Sequence, residues 1–180
     1  MEAKVVYFEQ PGEEHTDETL RLALEWARAH DVKKMVVAST RGNVARTAAE
    51  RVAGTGIQLI VVPIQYGYFE VNRFPRDLVS ALEAQGHKVH FATMPFHTED
   101  LYGSNAPKAM ANLLRIFGQG TKVCVEIALM AADAGLVGMG ERVITVAGTG
   151  RGADTALVIT GATTHNLRDM RVNEIICRPI

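Results

Sequence analysis

Apolar runs of two different periods alternate along this chain, and that alternation constrains the fold more than any other feature. Lys34 to Ala38 and Gln58 to Val62 are runs rich in strand formers, the pattern of strands covered on both faces. Between them Val44, Ala45, Ala48, Ala49 and Val52 recur at helical spacing. Upstream, Lys4 to Phe8 reads as a first strand. Leu20, Ala23, Leu24 and Ala27 then form a helical stripe behind Thr16, read as an N-cap, with Asp17 and Glu18 where the helix dipole favours acids. Further on, Pro75 opens a helix that Gly86 ends, and Lys88 to Ala92 makes a fourth strand. Pro107 starts a helix with Met110, Leu113, Leu114 and Phe117 on one face, and another helix runs from Thr121 to Ala134. Arg142 to Ala147, Ala156 to Thr160 and Arg171 to Cys177 close the chain as strands, the last two with no helix between them. Alternating strands and helices predict a mostly parallel sheet with helices on both sides. The missing final crossover predicts an antiparallel edge. The expectation is a single three-layer α/β/α domain over residues 1–180.

Composition narrows the function classes. The net charge of −1, with both signs interspersed, gives no electrostatic case for nucleic acid or a membrane surface. No apolar run approaches the roughly 18 residues of a membrane span, and the start MEAKVVYFEQ is not a signal peptide. Cys124 and Cys177 fit no zinc or redox spacing. A cytoplasmic protein with reduced thiols is the simplest expectation.

In a sheet of this kind ligands bind beyond the carboxyl ends of the strands. There the stretch ASTRGNVA turns a strand into a helix. The first N–H groups of that helix have no internal partner, and its dipole is positive at that end. Ser39 and Thr40 add hydroxyls, and Gly42 lets the backbone approach an anion closely. A phosphate suits such a place; alternatively Ser39, Thr40 and Asn43 only cap the helix. The loop AGTGRGADT satisfies a dinucleotide pattern with Gly148, Gly150 and Ala153, but strand-like residues follow it, so it is not that fingerprint. Its glycines can still wrap a ligand and Arg151 can meet a phosphate, or the loop is a tight turn that Asp154 braces. Tyr66, Tyr68, Phe69 and Phe74 follow the third strand. They can flank a planar ring, or else cover the rim or form a subunit contact in a homo-oligomer.

Lys122, Glu126 and Asp133 align along an otherwise apolar helix, either as an ion pair with a neighbour or as a polar line ending at the ligand. His15 and His97 fall in rim loops. His87 and His90 point to opposite faces and cannot share a metal. No nucleophile and base pair is visible in the sequence.

Four blocks, VYFEQPGEEHTDETLRLALEWA, VVASTRGNVA, GTKVCVEIALMAADAG and GTGRGADTALVI, together resemble the stand-alone prokaryotic and archaeal proteins built like the C-terminal domain of pyruvate kinase. The resemblance implies an α/β/α sandwich whose five-stranded, mostly parallel main sheet bears an antiparallel edge strand. It also implies flavin mononucleotide (FMN) as the ligand. In pyruvate kinase the similar strand-to-helix loop grips a phosphate of an allosteric sugar bisphosphate, and a glycine-rich loop closes over the same effector. Ser39 and Gly42 match the first loop and GTGRGADT resembles the second, while Arg41 and Val44 stand where that enzyme has serines. Backbone donors and Thr40 would then take over.

The expected function is therefore binding of a phosphorylated small molecule, FMN foremost, at the rim. The expected contacts are Ser39, Thr40, Gly42, Asn43, Val44, Ala45, Tyr66, Gly148, Thr149, Gly150, Arg151, Gly152, Asp154 and Thr155, with Phe69 an alternative to Tyr66 beside the ring and no metal ligands. Whether a reaction occurs is left open. A flavin-dependent oxidoreductase would let the flavin carry the chemistry. The alternatives are a non-catalytic sensor of a phosphorylated metabolite and a hydrolase using Asp154 or Glu126 with a metal.

Overall fold

The computed structural model describes residues 4–180, so the very start of MEAKVVYFEQ lies outside the described residues. Seven strands form one sheet: β1 Val6–Phe8, β2 Lys34–Ala38, β3 Gln58–Val62, β4 Lys88–Val89, β5 Arg142–Ala147, β6 Thr155–Thr160 and β7 Arg171–Pro179. Their order is β1-β7-β6-β5-β2-β3-β4. Only β6 is reversed, pairing antiparallel with β5 on one side and β7 on the other; every other pairing is parallel. The fold is thus the mixed α/β sandwich that the alternation predicts. The sheet differs from expectation in its width and in where the antiparallel strand lies, which is inside rather than at an edge. The reason is non-local. β1 returns to pair with β7, Val6 opposite Cys177 and Phe8 opposite Pro179, and so covers the edge that the final strands would otherwise leave.

The helices are α1 Thr16–Ala29, α2 Asn43–Val52, α3 Arg76–Ala84, α4 Glu99–Tyr102, α5 Ala106–Arg115 and α6 Gln119–Asp133. On one face, Leu20 and Leu24 of α1, Ala45 and Ala48 of α2, and Leu78 and Leu82 of α3 share a core with Met35, Val37, Leu59 and Val61. On the other face α6 sets Ile127, Met130 and Ala131 against Val36 and Ile60. Its Cys124, Ala128 and Leu129 meet Leu157 and Ile159. Period-2 alternation along β2 divides Val36 from Met35 and Val37, so each face of the strand feeds one layer. α5 packs outside α6 through buried Ala111 and half-buried Leu114, leaving Leu113, Ile116 and Phe117 exposed. Its apolar stripe is wider than α6, α4 and the turn at Pro95–His97 together cover. No helix among the described residues is long and apolar enough to cross a membrane.

Two connections set the site. β2 leads through α2 to β3 on one face, whereas the chain leaves β4 and reaches β5 through α5 and α6 on the other. Because β5 and β3 lie on opposite sides of β2, the connections part company between β2 and β5. That is a topological switch point, where a crevice opens beyond the strand ends.

Candidate functional site

A cleft of about 680 Å³ occupies this crevice and straddles the sheet from one helical layer to the other. Glu13, Thr16, Asp17, Ser39, Thr40, Arg41, Asn43, Val44 and Thr47 line the end nearest α1 and α2. Pro63, Ile64, Tyr68, Phe69 and Arg73 line the middle, and Met94, His97, Arg115, Gln119, Lys122, Val123 and Glu126 the end nearest α6. Gly148, Gly150, Arg151 and Gly152 close over it.

At the α2 end the Ala45 N–H donates to Ser39 Oγ (3.2 Å). Ser39 therefore caps the helix, and the Asn43 and Val44 N–H groups remain without helical acceptors at the positive end of the dipole. Thr40, Arg41 and Asn43 stand beside them on the cleft wall. Gly42 plays a different part from the one expected. Its φ is +88°, and an added Cβ would lie 2.6 Å from Leu78 Cδ2 and 3.1 Å from Pro75 Cδ. It faces α3 and lies off the cleft wall, so its glycine serves the turn and the packing. Ala45 is likewise buried behind its own N–H.

The glycine-rich loop is built from below. Asp154 is fully buried, accepting from the Thr149 N–H (3.1 Å) and from Thr155 Oγ1 (2.7 Å). A methyl group at Gly120 would stand 3.0 Å from its Oδ1, which puts the carboxylate against the first turn of α6, where the dipole favours a negative charge. Asp154, Thr155 and Thr149 thus brace the loop, and none of the three lines the cleft. Gly152 (φ +68°) packs on the turn that enters α1, where a Cβ would meet Glu13 Cα at 2.4 Å and Thr16 Oγ1 at 2.6 Å. Thr16 does not cap α1: its hydroxyl donates to the Glu13 carbonyl (2.6 Å) and accepts from the Ala153 N–H (3.0 Å). That bond ties α1 to the loop.

Tyr66 is also displaced from its expected place. Gly67 adopts φ +84°, which turns the chain so that Tyr66 packs on Phe91 (4.7 Å between ring centroids) while Tyr68 and Phe69 reach the cleft. Those two rings meet edge to face at 5.1 Å, and the Arg73 guanidinium covers one face of Phe69 at 3.8 Å.

The α6 end carries a cluster that sequence reasoning did not assemble. Lys122 is 1% exposed. Its Nζ donates to Glu126 Oε2, one helical turn on, and to His97 Nε2 (2.9 Å). Glu126 Oε1 accepts from the Phe96 N–H (3.1 Å). Burial pulls the Lys122 ammonium below its ordinary value although Glu126 pulls the other way. Burial, and then the Lys122 charge, lower His97 as well. The i, i+4 spacing of Lys122 and Glu126 was legible, but His97 comes from a loop 25 residues away, which no local pattern signals. Asp133, on the same helical line, is instead at the far end of α6, where it accepts from the Thr164 N–H and hydroxyl. His15 stacks on Phe8 and bonds the Gln10 carbonyl, away from the cleft wall. Among the described residues no group of three or more His, Cys, Asp or Glu side chains is placed to hold a metal ion.

Fold and site together define an α/β/α sandwich with an arginine-rich cleft at its switch point. No protein-family model matches the chain. Similar solved structures include a pyruvate kinase from Cryptosporidium parvum, 15% identical, with a TM-score of 0.45 over 82% of this chain and 23% of that one. The Cryptosporidium parvum pyruvate kinase in complex with ADP is 17% identical, with a TM-score of 0.42 over 79% of this chain and 22% of that one. The chain thus spans less than a quarter of the length of these proteins. The likeness is distant.

Proposed function

We propose that the cleft binds a phosphorylated small molecule with a planar portion, and that FMN is the ligand to test first. One observation carries the reading. In a chain of net charge −1, four arginines (Arg41, Arg73, Arg115 and Arg151) line one cleft, and none of them has a carboxylate partner within ion-pair distance among the described residues. Arg115 donates only to the neutral amides of Gln119 and Asn112, both at 2.8 Å. Of the acids on the wall, Asp17 pairs outward with Arg51 and Glu126 pairs with Lys122, leaving Glu13. Such an excess of fixed positive charge suits an anion.

Its phosphate would rest on the free N–H groups of Asn43 and Val44, with Thr40, Arg41 and Arg151 around it. Tyr68 and Phe69 offer the planar part a wall, with Tyr66 behind them against Phe91. The residues present fit FMN at its phosphate and at one side of its ring. A bound flavin would supply electron transfer, while this chain supplies position and charge. A binder of some other phosphorylated metabolite uses the same phosphate contacts and dispenses with the ring.

The test is the visible absorption spectrum of the purified protein, recorded again after adding FMN and desalting. Retained flavin bands in stoichiometric amount support the FMN reading. A colourless protein that releases all the flavin, yet melts higher in inorganic phosphate than in chloride of equal ionic strength, leaves a different phosphorylated ligand. Arg151→Gln should weaken binding about tenfold with the fold intact, because an exposed charge-assisted bond is removed.

A further inference from the structure

The α6 end of the cleft holds a lysine, a histidine and a glutamate that the phosphate contacts do not use. Lys122 lines the wall yet is almost inaccessible to water, with Glu126 and His97 as its hydrogen-bond partners. Because His97 Nε2 accepts from the ammonium, the imidazole is neutral and carries its proton on Nδ1. The Phe96 N–H fixes the other Glu126 oxygen, so the carboxylate is oriented as well as charged. A buried ion pair contributes little net stability compared with an apolar pair of the same shape, and this one stands where ligand would touch it. The setting is that of an amine able to shed its proton to an adjacent base.

We propose that Lys122 is a nucleophilic amine that forms an imine with a phosphorylated aldehyde or ketone lying along the cleft. The proposal rests on the phosphate-binding reading above and is independent of flavin. The ammonium gives one proton to Glu126. The Nζ lone pair attacks the carbonyl carbon, a C–N bond forms, and the π pair moves to oxygen, which takes a proton from Glu126. The second N–H proton then passes to His97, the nitrogen lone pair closes the C=N bond, and the hydroxyl leaves with a proton returned by His97. One water is released and no electrons change hands overall. The lowered proton affinity of Lys122, caused by its burial, raises the fraction of free amine. Arg41, Thr40 and Asn43 would hold the phosphate at the opposite end and so orient the carbonyl.

The test uses pyridoxal 5′-phosphate, a phosphorylated aromatic aldehyde, with borohydride to reduce any imine to a stable secondary amine, followed by peptide mass mapping of the whole chain. The expected result is one adduct, on Lys122. It should form at about tenfold lower reagent concentration than with unphosphorylated pyridoxal, since the bound phosphate supplies orientation, and inorganic phosphate should suppress it. Labelling spread over exposed Lys33, Lys88 and Lys108 with Lys122 unmodified overturns the proposal. In that case a phosphate-induced rise in melting temperature shows that the anion reading still stands. Equal labelling of Lys122 by both aldehydes, unaffected by phosphate, overturns the substrate class and the anion reading together. The mapping is done on the unmutated chain, so it does not depend on a Lys122→Met variant folding.

Discussion

At Gly42 a methyl group would press on Leu78 across a backbone that L residues rarely adopt. Gly42→Ala should therefore cost about 1–3 kcal/mol by strain and overpacking, read as a fall in melting temperature, with any loss of ligand affinity secondary. Sequence alone points to close approach of an anion, since a glycine before a helix looks the same whichever side is crowded. His87 makes a second residue-scale case. It is 8% exposed, and its Nδ1 accepts from the Leu59 N–H (3.3 Å), which protonation would forbid. Burial lowers its pKa from the ordinary 6.5, so below that pH the unfolded chain binds more protons than the folded one. Stability should fall as pH drops through 6.5 and on through the lowered native value. Thermal melts on either side of neutrality will show it, and His87→Asn should flatten the slope, leaving the part due to His97, which shifts the same way.

Between elements, the bond from the Ala153 N–H to Thr16 holds the glycine-rich loop to α1. Thr16→Val keeps the shape and removes both hydroxyl bonds. It should cost about 1 kcal/mol and speed hydrogen exchange at the Ala153 amide, while amides of β2 and β3 keep their protection. The elements themselves were largely legible: β2, β3 and β5 begin and end where their apolar runs do, and α2 follows its alanine and valine stripe. The tie between Thr16 and Ala153 was not, for a threonine followed by two acids has the signature of an N-cap. The site divides the same way. Ser39, Thr40, Asn43, Val44 and four residues of the glycine-rich loop lie together on the cleft wall because strand ends predict where loops gather. Gly42, Ala45, Tyr66, Thr149, Asp154 and Thr155 lie behind it, since side-chain direction within a loop depends on turns that composition does not encode.

At the scale of the molecule, the two cysteines report on opposite faces of the sheet. Cys124 belongs to the α6 side and Cys177 to the α1 side, each with no exposed surface. Burial pushes the Cys177 thiol up to about 11 and Cys124 higher still. A disulfide reagent should leave both unmodified in the native protein and, in denaturant, label them at one common rate if the layers unfold together; two rates would mean that one layer opens first. Sheet order was the part that sequence hid most completely, because strand pairing across the whole chain leaves no local trace. Among the described strands β1 pairs only with β7, and the Ile180 N–H closes the pair by donating to the Phe8 carbonyl (3.0 Å). During synthesis, then, β1 waits for β7, which follows the other five described strands. Until residues 171–179 emerge, β1 has no partner strand and β6 lacks its β7 neighbour. A nascent chain stalled before that point leaves β1 and one side of β6 unpaired, and this part of the sheet closes only once β7 is available.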